Sequence, residues 1–175
     1  MLSPDGSSLA RRLGVAAAAL MLLAGCESTG IHPLYASRSG TLQTELQAIK
    51  VDPIPDRLGH YIGDALQTNF NGTGAVVAPK YHLTVIAKER VQTPLIDTVT
   101  ARAQAASVIT DVTYRLTSLG GGEPITSGTV TSAATYDRSE QRFANIRAAR
   151  DAEIRDAKTI ADQIAQQVAA KLATQ

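Results

Sequence analysis

Cys26 is the residue whose type and position point most directly to a chemical modification. It is the only cysteine among these 175 residues, so an internal disulfide and a multi-thiolate metal site are both excluded. It follows a segment in which Arg11 and Arg12 precede a continuous apolar stretch, residues 13–23. This stretch is shorter than the roughly 20 apolar residues that a transmembrane helix needs. We therefore interpret the segment as a secretory signal that is cleaved next to Cys26.

The sequence Leu23-Ala24-Gly25-Cys26 resembles a bacterial lipobox. In such signals the cysteine thiol receives a diacylglycerol, the chain is cut before the cysteine, and the new N-terminus is acylated. Three acyl chains, at about 0.8 kcal/mol per buried methylene, form a firm membrane anchor. We predict this lipid on Cys26 and no other cofactor, with an ordinary signal peptide and a chance cysteine as the alternative. Glu27 is not the aspartate that retains some lipoproteins in the inner membrane, so we expect sorting to the outer membrane.

No catalytic motif is present elsewhere in the chain. The sequence has no nucleophile elbow, no phosphate loop and no His-Glu-x-x-His motif, and the glycines at 120–122 lack the lysine of a phosphate loop. His32, His60 and His82 lie in separate segments, which argues against a metal site. We therefore expect a protein that is not an enzyme and binds no metal.

The charge balance limits the class of partner. Removal of residues 1–25 would take away two of the 17 basic side chains and one of the 16 acidic ones, which leaves equal numbers of each. A protein that binds duplex nucleic acid is usually clearly basic, so we exclude that class. We divide the chain into a signal peptide (1–25), a lipidated tether (26–40) and a single α/β domain (41–175).

The periodicity of apolar residues predicts an α+β fold, a two-layer sandwich in the order β-α-β-β-β-α. It would have a mixed four-stranded sheet with two helices packed on one face. Asp56 is the predicted N-cap of the first helix, and Pro94 argues against continuing the second strand past that point. The predicted elements are strands at 45–51, 81–88, 106–116 and 125–136, and helices at 56–71 and 139–172.

The last helix is the longest predicted element. Its apolar spacing should bury Ile160 and Ile164 against Val112 of the sheet. We expect the charged run at 147–158 to be a solvated face, and the helix is long enough that either this end overhangs the sheet or the helix bends. The other face of the sheet should be rich in threonine, which suits either simple solvation or a surface that docks inside a polar, water-lined partner.

Several short stretches follow Cys26 in a fixed order. They are His32-Pro33-Leu34-Tyr35, Ile54-Pro55-Asp56-Arg57-Leu58-Gly59 at the first helix, Thr135-Tyr136-Asp137-Arg138-Ser139, Phe143-Ala144, and Arg150-Asp151-Ala152 in the last helix. In this order, and together with the lipobox, they resemble the lipopolysaccharide-assembly lipoprotein family, LptE. The resemblance covers nearly all of the chain after Cys26.

The resemblance implies a two-layer α/β fold on the periplasmic side of the outer membrane. It also implies a partner, the β-barrel LptD, in whose lumen the lipoprotein forms a plug. The pair would insert lipopolysaccharide into the outer leaflet. An auxiliary periplasmic lipoprotein of a lipid-transport ATPase system is the alternative, because such proteins also combine a lipobox with a small α/β domain.

Lipopolysaccharide carries phosphates and acidic sugars, so a site for it needs cations on an exposed turn or sheet edge. Lys88 and Arg90 lie at the end of the second predicted strand, and Arg102 lies on the opposing side of the same hairpin. We predict these three as lipopolysaccharide-binding residues. An ordinary solvated hairpin tip is the alternative.

Overall fold

The computed structural model describes residues 39–72, 74–96 and 103–174, which form an α+β fold. A mixed four-stranded sheet has helices packed on one face, and a long helix ends the described chain. The elements in chain order are α1 (Ser39–Gln47), β1 (Ile49–Val51), α2 (Asp56–Asn71), β2 (Tyr81–Ile96), β3 (Ala103–Ser118), β4 (Thr126–Asp137) and α3 (Arg142–Leu172).

The sheet follows chain order, β1-β2-β3-β4, and only its first pairing is parallel. The register of β2, β3 and β4 places Ala87, Val112 and Val130 in one row across the sheet. Because strand side chains alternate between faces, the residues between them point to the other side. The apolar rows therefore meet the helices, and most threonines of the strands lie on what we call the outer face of the sheet.

Helix α2 buries one apolar stripe, and the segment before the helix packs closely against its first turn. Leu58, Ile62 and Leu66 recur every four residues and are buried. A Cβ atom on Gly59 would lie 2.6 Å from the Ile54 side chain and 2.8 Å from its carbonyl oxygen, so only glycine lets the preceding segment approach this closely. The close approach is accompanied by a left-handed φ of 69° at Asp56.

Asp56 was the predicted N-cap, and this detail is wrong. Pro55 occupies the N-cap position in an extended conformation, and no side chain caps the helix. Asp56 instead forms the first helical residue, where aspartate tolerates a left-handed conformation better than most residues. Its carboxylate still lies in the first turn, where the helix dipole favours a negative charge.

The first predicted strand is wrong in its N-terminal part, because residues 45–47 belong to α1. Leu42 and Leu46 are four residues apart, and the helix buries both in the main core. Only Ile49–Val51 form the strand, which pairs with residues 81–83. The imperfect alternation in this segment reflects a change from helical to strand periodicity at Ala48.

Pro94 does not end the second strand, contrary to the prediction. β2 continues to Ile96, with register shifts against β3 between Gln92 and Leu95 and again at Ile96. The parallel partner β1 covers only residues 81–83, so this part of β2 has one described neighbour strand. Proline is tolerated in a strand at such an edge or at a bulge.

Helix α3 contacts the sheet over more of its length than the charge run predicts. Buried positions begin at Ala152 and include Glu153 and Asp156, so the overhang is confined to the turns before Ala152. Arg150, Asp151 and Ile154 are exposed on the other side of the same turns. The charged run is thus divided between two faces, which its composition alone does not reveal.

The buried position of Ile160 can be tested by truncation. Ile160 has no exposed surface, so Ile160→Ala should lower the free energy of unfolding by roughly 2–5 kcal/mol. Ile154→Ala removes the same atoms from an exposed site on the same helix and should cost less than about 0.5 kcal/mol. Urea unfolding followed by circular dichroism gives both values. Equal losses in the two variants would show that this helix face is assigned wrongly.

Candidate functional site

Lys88 and Arg90 both lie on the outer face of β2, because they are two residues apart on one strand. The register places Lys88 opposite Asp111 of β3 and Arg90 opposite Ile109. The Asp111 carboxylate accepts a hydrogen bond from the Arg90 guanidinium through Oδ2 and one from the Thr131 hydroxyl, at 2.8 Å, through Oδ1. The structure therefore brings the two predicted cations together but gives Arg90 an anionic partner.

The other two predicted site residues are not located by the structure. Arg102 and Cys26 both lie outside the described residues. The convergence of Arg102 with Lys88 and Arg90, and the lipid on Cys26, therefore remain predictions.

Polar side chains on the rest of the outer face bind one another across the strands. Asp52 accepts a hydrogen bond from the Thr84 hydroxyl at 2.9 Å, and its other oxygen lies 3.0 Å from Nδ1 of His82. The hydrogen bond with His82 is the main reason that the pKa of Asp52 is lowered. Ser107 and Thr135 form a similar pair across β3 and β4. The face is thus predominantly polar, with many of its donors and acceptors satisfied within the sheet.

On the opposite, helix-covered side, an ion pair joins the start of α2 to α3. The Arg57 guanidinium donates through Nε to one carboxylate oxygen of Glu153 at 2.9 Å and through Nη2 to the other at 2.6 Å. The Glu153 side chain is only 6% exposed, whereas that of Arg57 is 57% exposed. The hydrogen bonds to Glu153 raise the pKa of Arg57. A bidentate pair of this kind fixes both the distance and the orientation of the two helices.

Further polar groups lie beside this pair. Asp156, one turn along α3 from Glu153, is 1% exposed, and neither of its carboxylate oxygens has a hydrogen-bond partner among the described residues. The same holds for the buried Thr110 hydroxyl, which the register places opposite Glu89. Partial burial is the main cause that raises the pKa of Glu89, and repulsion by Glu153 adds to it. Three carboxylates thus share the neighbourhood of a single guanidinium.

The sequence did not identify this polar cluster, because Glu153 and Asp156 fall in the run that was expected to be solvated. Their spacing relative to Ala157 and Ile160 carried a signal: all of them fall on one helical stripe. A buried acidic residue on an apolar stripe is usually paired, and Glu153 is paired with Arg57, whereas Asp156 has no hydrogen-bond partner among the described residues. The identity of the partner depends on a contact between residues 96 positions apart.

The polar cluster does not group its side chains as a metal centre does. Among the described residues, no three histidine or acidic side chains are grouped closely enough to hold a metal ion. None of the helices in this part of the chain combines the length and apolarity that crossing a bilayer requires. The geometry favours a structural role, in which the ion pair sets the position of α3 over the sheet.

The ion pair should stabilise the fold, because the buried Glu153 carboxylate cannot become hydrated when Arg57 is lost. Arg57→Met should lower the free energy of unfolding by about 1–3 kcal/mol, and adding Glu153→Leu should recover most of that loss. Lys80→Met is a matched control, because Glu45 is more exposed than Glu153 and keeps its hydrogen bond from Tyr81. Urea unfolding of the four proteins measures these changes in the free energy of unfolding. A loss no larger in Arg57→Met than in Lys80→Met would contradict the assignment.

No protein-family profile and no curated protein sequence matches the chain. Solved structures do match, and one is the crystal structure of a candidate lipoprotein from Caulobacter crescentus. It is 22% identical, with a TM-score of 0.65, over 79% of this chain and 100% of that one. A minor lipoprotein from Acinetobacter baumannii is 18% identical over 70% of this chain and 90% of that one, with a TM-score of 0.54.

A third similar structure is the rare lipoprotein B from Shewanella oneidensis. It is 16% identical over 72% of this chain and 96% of its own length, with a TM-score of 0.54. At these identities the likeness is one of fold. The described domain therefore has the α+β fold of proteins that are described as bacterial lipoproteins.

Proposed function

We propose that this protein is an outer-membrane lipoprotein of the LptE type. In this proposal it plugs the lumen of an LptD-like β-barrel and supports the barrel in assembling lipopolysaccharide into the outer leaflet. The observation that carries the proposal is the polar outer face of the sheet, on which charged and hydroxyl side chains bind one another. The interior of an outer-membrane barrel is polar, so such a face can pack there without burying unpaired groups.

The resemblance and the fold support the same proposal from different sides. Two of the stretches that carry the resemblance, at Arg57 and next to Ala152, meet in the structure through the ion pair with Glu153. The fold is shared with proteins described as minor and rare lipoproteins. A lipid on Cys26 would give the domain the membrane attachment that this role requires.

Purification from separated membranes tests the partner and the anchor together. The full chain with a C-terminal tag should be recovered from outer membranes with a β-barrel of several hundred residues, identified by mass spectrometry. Cys26→Ser should remain an uncleaved precursor without lipid, because the thiol that receives the diacylglycerol is absent. Recovery of the normal chain with an inner-membrane permease would favour the auxiliary lipoprotein of a transport ATPase. Normal maturation of Cys26→Ser would contradict the anchor.

The predicted lipopolysaccharide contact has its own test. The Asp111 carboxylate offers a second variant, with an effect opposite to that of removing the cations. Replacement of Lys88, Arg90 and Arg102 together by alanine should weaken binding of purified lipopolysaccharide in vitro, most clearly at low salt. Asp111→Asn should strengthen it, because Arg90 loses its competing anion. Replacement of Lys50, Lys158 and Lys171 by alanine removes the same charge elsewhere and serves as the control. Unchanged binding in the first variant across salt concentrations would show that this hairpin is not the site.

A further inference from the structure

The side of α3 that packs against α2 extends beyond the point where α2 begins. α2 starts at Asp56, and its next residue, Arg57, binds Glu153. Ile146 precedes Glu153 by seven residues, or about two helical turns, and therefore lies on the same side of α3. Ile146 is 50% exposed, and Phe143, one turn earlier, is 84% exposed. Within the described residues, this apolar continuation of the packing face is therefore half exposed at Ile146 and largely exposed at Phe143.

Arginines surround these two apolar side chains. Arg142, Arg147 and Arg150 are exposed, and none of them has an ion pair or a hydrogen bond from its side chain within the described chain. Residues 141–150 include no acidic side chain. At about 100° per residue, the three arginines and the two apolar residues fall within a sector of roughly 140°. We call these five residues the basic apolar face of α3.

The stability of the helix does not account for this composition. The first turn of α3 holds no acidic residue and begins with Arg142. The positive end of the helix dipole disfavours a cation in that position. Exposed phenylalanine and isoleucine likewise gain nothing from water. The acid nearest along the helix, Asp151, is already engaged by Arg155 at 2.8 Å.

We propose that the basic apolar face docks on an anionic phospholipid bilayer. Phe143 and Ile146 would enter the boundary between headgroups and acyl chains, and the three arginines would bind lipid phosphates, as in other amphipathic interfacial helices. A second copy of the chain is a poorer occupant, because it would bring two sets of three arginines together. The proposal goes beyond the proposed function and does not depend on it, since it involves neither the barrel nor lipopolysaccharide.

The chain has no tryptophan, so a single one can report the environment of this face. In the full chain, Phe143→Trp should show a blue-shifted emission on vesicles of phosphatidylglycerol and phosphatidylcholine. Brominated acyl chains should quench the emission. Vesicles of phosphatidylcholine alone should give little change, and high salt should weaken the response. Ile86→Trp, on the outer face of the sheet where Ile86 is 59% exposed, is the control and should not respond. Both reporters lie in the same chain, so any other membrane attachment affects them equally.

Two further variants, made in the Phe143→Trp protein, identify the groups responsible. Ile146→Ser should reduce the blue shift, and Arg142, Arg147 and Arg150 replaced together by glutamine should weaken binding to the anionic vesicles roughly a hundredfold. The proposal is overturned if anionic vesicles leave the emission unchanged, if neutral vesicles shift it equally, or if the Ile86→Trp control responds as strongly. A blue shift that depends on protein concentration without vesicles would also overturn it, because the occupant would then be a second copy.

Discussion

The main apolar core of the described part of this chain lies against one face of the sheet, and the two long helices must share that face. Val85, Val112 and Val130 project toward the helices, whereas Thr84, Thr113 and Thr129 project to the other side. Because side chains alternate along a strand, a residue that packs against the helices cannot also lie on the outer face. The polar outer face is therefore a direct consequence of how the core is built, and it leaves an entire surface available to a polar partner.

The shared face also requires that α2 and α3 keep a fixed position relative to each other. Apolar contacts between helices tolerate small sliding movements, and a bidentate ion pair adds a preference for one position, because both hydrogen bonds have a defined geometry. Arg57 and Glu153 supply that preference at the start of α2. They lie at the boundary between the main core and a second apolar cluster of Val108, Ala134 and Ala152. The buried carboxylate of Asp156 in the same region has no hydrogen-bond partner among the described residues, which is unfavourable for stability.

Two surfaces of different chemistry result from this architecture. The outer face of the sheet is predominantly polar and binds its charges internally, which suits a partner with a polar, wet interior. The basic apolar face of α3 leaves three cations and two large apolar side chains uncovered, which suits an anionic amphipathic surface. The two faces belong to opposite layers of the sandwich. A lipoprotein whose outer face packs inside a barrel would keep the basic apolar face on its opposite side, and the two proposals rest on separate observations.

The sequence by itself determined the class of fold and the layer to which most side chains belong. Local periodicity is sufficient for this, since a spacing of two or of about 3.6 residues already assigns an inner and an outer side. It predicted α2, β3, β4 and the burial of Ile160 and Ile164 correctly. The sequence also contains the lipobox cysteine and the ordered stretches that carry the resemblance. Both are local patterns, so they can be identified without knowing any contact between distant residues.

Only the tertiary structure decided which charged residues are buried and which are free. Glu153 and Asp156 lie in the same charged run as Asp151, but the packing of α3 buries them, and only Glu153 gains a partner, Arg57, which is distant in sequence. The overhang of α3 likewise depends on where α2 begins, and the extension of β2 past Pro94 depends on how short β1 is. In each case the deciding contact joins segments far apart in the chain, and no local pattern records the free energy of such a contact.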